Sequence, residues 1–144
     1  MEFDRVSHRG VPAGPMDVAL ACTALLGLLL FGLGLAVSLT RGSTRTVIGY
    51  SPDPADRLHK LVRAHGNASE YVPMLALLIL VLGARQPGAW LLGTFVAATV
   101  ARYLHAAGMI LGRLDRPNPF RFLGALGTYV TGLVLAGGLL VQVI

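Results

Sequence analysis

The sequence predicts an all-α integral membrane protein built as a four-helix bundle. Three observations carry this. The 144 residues are 54% hydrophobic and 13% charged, with a mean hydropathy of +0.66, too apolar for an ordinary soluble domain. Four runs approach the roughly 20 apolar residues that a helix needs to cross a hydrocarbon core about 30 Å thick. None shows the period-two alternation over about ten residues that a membrane barrel requires.

The first run, Asp17 to Thr40, follows a polar segment, residues 1–16, that carries both signs of charge. Its length, and the lack of a small-residue cleavage site after it, make it a retained helix and not a signal peptide. Asp17 is placed to cap its start or to favour the positive end of its dipole. RGSTRTVIGYSPDPADR then forms a polar loop, punctuated by Gly42, Gly49, Pro52 and Pro54. The second run spans Arg57 to Leu82, with Pro73 removing one backbone hydrogen bond and predicting a bend. GARQPG turns into the third, Gly88 to Leu111, and RLDRPNP into the fourth, Arg121 to Ile144.

The formal charge is +5, but the cations sit at the ends of apolar runs and form no tract, so nucleic acid is not an expected partner. Topology accounts for them. Arg41, Arg45, Arg57, Lys60, Arg63, Arg113, Arg116 and Arg121 fall on one side of the layout, against Arg5, Arg9 and Arg85 on the other. The positive-inside rule puts loops 41–57 and 113–120 in the cytoplasm and both termini across the membrane.

The second helix opens on RAHGNASEYVP, residues 63–73, an unusual start for a membrane span. Arg63, Asn67 and Glu70 are spaced by four and three and share one face, with His59 a turn earlier, Gly66 opening a gap beside them and Tyr71 at the edge. A charge at helix-centre depth costs about 2.5–3.5 kcal/mol on insertion scales, so such a group needs partners, water or a ligand. The bland alternative is an Arg63–Glu70 ion pair that only ties helices together. Asn67 favours a ligand, since a primary amide offers two donors and an acceptor in one plane. The third helix adds Arg102 and His105, three apart on one face. The fourth starts at Arg121 and carries Gly124, Thr128, Gly132 and Ala136 at intervals of four, a stripe suited to close helix contact within or between chains. Cys22, the only cysteine, lies inside an apolar run. It suits packing better than catalysis, so any sulfur chemistry would use a ligand's sulfur. No metal-binding spacing is present.

These residues carry a resemblance. R-A-H-G-N-x-x-E-Y-V-P at 63–73, A-R-Y-L-H-A-A-G at 101–108 and R-F-L-G-A-L-G-T at 121–128 are similar to motifs of the MAPEG family, the membrane-associated proteins in eicosanoid and glutathione metabolism, over about residues 17–144. The resemblance implies a homotrimer of four-helix subunits that binds glutathione between neighbours near the cytoplasmic side and activates its thiolate toward a lipophilic electrophile. It assigns Arg63, Asn67, Glu70 and Tyr71, together with Arg102, His105 and Arg41, to glutathione contacts. It assigns Arg121, or Arg116 because the loop varies in length, to the arginine that stabilises the thiolate. Met109 stands where eicosanoid-forming members carry a second aromatic hydroxyl, and Phe122 near a serine of one prostaglandin synthase. Gly66 and the short loops look like bacterial members, which implies an inner-membrane location. Because the family includes a member that presents lipid without catalysis, a non-catalytic lipid- or glutathione-binding protein is the alternative, and a structural scaffold the third possibility.

Overall fold

The structure is a computed structural model that describes residues 14–144. The charged N-terminal segment, with Arg5 and Arg9, lies outside the described residues up to residue 13. Four α-helices account for the fold: α1 (Pro15–Thr44), α2 (Arg57–Gly83), α3 (Ala89–Leu111) and α4 (Pro119–Val141). All are long and apolar enough to cross a membrane, and there is no strand among the described residues.

Two helices start earlier than hydropathy alone predicts, and two end later, α1 by four residues and α2 by one. α1 begins with Pro15 in its first turn, where proline's missing N–H costs nothing. Asp17 acts as the cap, its Oδ2 accepting the Gly14 N–H at 2.9 Å. α1 also runs past Thr40 to Thr44, and Arg45 closes it in the left-handed region at φ 53°. α4 begins at Pro119 and not Arg121, because Asn118 caps it by accepting the Arg121 N–H at 3.2 Å. It ends at Val141, short of Ile144. α2 is capped by Asp56, whose Oδ1 accepts the His59 N–H at 2.8 Å, and stays one helix through Pro73.

The bundle is paired. α3 packs most extensively on α4 and α1 on α2, whereas α1 and α4 do not meet. Glycines set the α3–α4 distance. A Cβ on Gly108 would collide with the Arg121 main chain, and one on Gly124 with that of His105. The small-residue stripe on α4 therefore serves contact within the chain at Gly124, while Gly132 lies beside Leu75 of α2. The core between the helices is built of Leu26, Ile79, Leu82, Phe95 and Leu135, with Cys22 packed among them. Outward-facing side chains such as Phe31, at 78% exposure, and Leu133, at 76%, form the apolar perimeter.

Both arginine-rich loops lie at one end. Leu114 N–H donates to the Pro54 carbonyl at 3.1 Å, tying loop 112–118 to loop 45–56.

Candidate functional site

At this loop end, α2, α3, α4 and loop 112–118 enclose a cleft of about 840 Å³. Its polar lining comes from His59, Arg63 and Asn67 on α2, His105 on α3, and Asn118 and Arg121 at the start of α4. Four of the nine residues singled out from sequence, Arg63, Asn67, His105 and Arg121, are therefore brought together.

Beyond Asn67 lies a polar junction. Arg102 is 1% exposed, and its Nη2 donates to Asn67 Oδ1 at 2.8 Å while Nη1 reaches Thr128 Oγ1 at 3.4 Å. Its guanidinium also stands over the Tyr71 ring, 5.3 Å from the centroid, a cation–π geometry. Arg102 Nε is buried with no hydrogen-bond partner. Tyr71 in turn meets Tyr129 of α4, hydroxyl to hydroxyl at 3.3 Å and rings edge-on at 5.8 Å.

Past the two tyrosines, a groove of about 450 Å³ runs between α2 and α4, lined by Met74, Leu75, Leu78, Leu133 and Ala136, with Glu70 at its polar end. Glu70 thus borders the apolar groove and not the polar cleft. The Arg63–Glu70 ion pair is not formed; the single ion pair among the described residues is Arg113–Asp115 at 3.1 Å. That exposed pair holds the Asp115 carboxyl below the usual carboxylate range, chiefly through the hydrogen bond from Arg113.

Arg121 and Arg41 are occupied locally. Arg121 Nη1 donates to the Leu114 carbonyl at 3.0 Å and Nη2 to the Arg116 carbonyl at 3.1 Å, so it holds the loop that roofs the cleft. The Arg116 side chain is exposed and outside the lining. Arg41 donates to the Gly49 carbonyl at 2.9 Å and is likewise outside the cleft of its own chain. Sequence reasoning placed Thr128 only in the small-residue stripe and missed Tyr129 and Asn118. Nothing local marks the contacts of Thr128 and Tyr129, whose partners lie 26 and 58 residues away, whereas Asn118 before a proline at the first helical position was a readable cap signal.

A family model described as the MAPEG family matches residues 19–141. The chain belongs to the MAPEG family. No curated protein and no solved structure gives a significant match. With four spans and this membership, it is an integral membrane protein.

What the MAPEG site could hold follows from its donors. Asn67 Oδ1 is taken by Arg102, so the amide has only its N–H groups left for a ligand. Arg63 makes no side-chain hydrogen bond or ion pair among the described residues and stands exposed beside it. Arg63 and the Asn67 amide form a donor set suited to a peptide-like anion with carboxylates. Glutathione, which the resemblance implies, fits that chemistry.

Proposed function

We propose that this MAPEG protein is a membrane-embedded, glutathione-dependent transferase. In this reading Arg63 and Asn67 hold glutathione at the loop end, with Tyr71, Arg102 and His105 shaping the deeper wall. Arg121 supplies the fixed cation that favours the thiolate. A free thiol ionises near pH 8.5, and only the thiolate is a good nucleophile, so a cation that cannot lose its proton raises reactivity at neutral pH.

The observation that carries the reading is proximity. A polar cleft and an apolar groove lie on either side of one junction, built by Asn67, Arg102, Tyr71 and Tyr129 around a void of only about 20 Å³. In this reading a water-soluble thiol comes to the junction from the cleft and a lipophilic electrophile from the groove. We place the cleft on the cytoplasmic side by the positive-inside rule, in a bacterial inner membrane, with the termini opposite. In a homotrimer the open side would be covered by a neighbour, bringing its Arg41 end toward the cleft.

The second reading, binding of glutathione or lipid without turnover, is favoured by one observation. Both terminal nitrogens of Arg121 already donate to loop carbonyls, which holds the guanidinium at the roof of the cleft. Conjugation of glutathione to a chloronitrobenzene by detergent-solubilised protein separates the two. The transferase reading expects turnover in the wild type and a loss on the order of a hundredfold in kcat for Arg121→Ala, with KM for glutathione moving far less. Tight binding with no turnover supports the second reading instead.

A further inference from the structure

We propose that His59 is the proton acceptor of the cleft, the group that takes the proton from a bound thiol. The inference rests on the glutathione reading above and adds to it a residue with no role in the family motif quoted from the sequence.

A thiol needs a lone pair within reach to become a thiolate, and an arginine cannot provide one. Among the described residues lining the cleft there is no carboxylate. Asn67 Oδ1 is occupied by Arg102. Two imidazoles remain, His59 and His105.

Both have their tautomer fixed in the same way. His59 Nδ1 lies 3.1 Å from the Asp53 carbonyl, and His105 Nδ1 lies 2.9 Å from the Arg121 carbonyl. A carbonyl only accepts, so in the neutral ring each Nδ1 carries the hydrogen and each Nε2 carries the lone pair.

Their settings separate them. His105 is 7% exposed, wedged where Gly124 brings α4 against it, and burial there penalises a charged ring. His59 is half-buried in the first turn of α2, at the loop end, where water can solvate an imidazolium. Its ring is held by two contacts, Tyr50 stacking on it at 4.4 Å and 25° and the Asp53 carbonyl taking Nδ1–H, while Asp56 accepts its backbone N–H. The charged and titratable groups around it are Tyr50, Asp53 and Asp56 from the loop, Arg63 from α2, His105 from α3 and Arg121 from α4.

The step balances without any oxidant or reductant. His59 Nε2 uses its lone pair to form an N–H bond as the S–H bond breaks. The S–H electron pair stays on sulfur, so an imidazolium and a thiolate form together in a cleft that Arg121 also lines.

The test counts protons. Solubilised full-length protein is mixed with glutathione in weakly buffered solution near neutral pH, with a pH indicator for released protons and ultraviolet absorbance for thiolate. The proposal expects the wild type to show less than one proton released per thiolate. His59→Gln, which can still donate to the Asp53 carbonyl, should form thiolate about a hundredfold more slowly. In 15N NMR of histidine-labelled wild type, which needs no variant to fold, glutathione should protonate the Nε2 of a single imidazole, and that signal should be absent from His59→Gln. Release of one proton per thiolate in the wild type overturns the proposal, and so does transfer of these effects to His105→Gln; both leave the glutathione reading standing. Absence of any thiolate signal, or of any binding, overturns the glutathione reading and this inference with it.

Discussion

Arg102 of α3 donates from Nη2 to Asn67 Oδ1 of α2 at 2.8 Å, so a buried cation and a cleft amide form one unit. No carboxylate lies within ion-pair distance of Arg102 among the described residues. A buried charge without a counter-charge is costly to the fold, and an apolar residue of similar volume in its place is often neutral or stabilising. We therefore expect Arg102→Met to keep thermal stability within about 1 kcal/mol of wild type, and Arg102→Ala to lose about 3 kcal/mol through the space it leaves. Glutathione affinity should fall at least about tenfold in both. Thermal unfolding in detergent beside calorimetric titration checks this. Strong destabilisation by Arg102→Met would make the charge a structural element instead.

The glycines give an opposed pair of expectations. Gly124→Ala drives a methyl into the main chain of His105, so it should destabilise by about 1–3 kcal/mol or prevent folding. A Cβ on Gly66 meets nothing within 4 Å in the isolated chain. Gly66→Ala should be neutral or stabilise α2 by up to about 1 kcal/mol. A clear loss for Gly66→Ala, read with the oligomer's mass in native mass spectrometry, would show that a neighbouring copy packs against this glycine.

Asp115 supplies the pH expectation. Its carboxyl is depressed by Arg113, so protonation is more favourable in the unfolded chain than in the folded one. The pair's small contribution is thus fully present above the ordinary carboxylate range and is lost as pH falls through the lowered folded value. Carboxyl 13C NMR should find Asp115 titrating below the ordinary carboxylate range. Asp115→Asn should remove that acid-range dependence while leaving neutral-pH stability nearly unchanged, because an exposed pair is worth little.

The architecture was legible because lipid leaves few choices. Four apolar runs without alternation must be helices, and their lengths locate them to within a few residues. The errors fell at caps, where Pro15, Asn118 and Pro119 extend α1 and α4 beyond their apolar runs. The polar face of α2 was readable from spacing, but its division was not. Asn67 and Arg63 line the cleft while Glu70 turns to the apolar groove, because α4 crosses α2 near Tyr71. Periodicity within one helix carries no information about where another crosses it. The engagement of Arg41 and Arg121 with loop carbonyls was hidden for the same reason.

The most direct test of the central claim is a thermal-shift titration of the solubilised protein with glutathione, repeated on Asn67→Ala. A ligand that binds only the folded state raises stability with its concentration, by about 2.7 kcal/mol at a hundred times its dissociation constant. The account predicts a concentration-dependent rise for the wild type and a response displaced at least about tenfold in concentration for Asn67→Ala. A wild type that does not respond to glutathione, or an Asn67→Ala variant that responds identically, would contradict it.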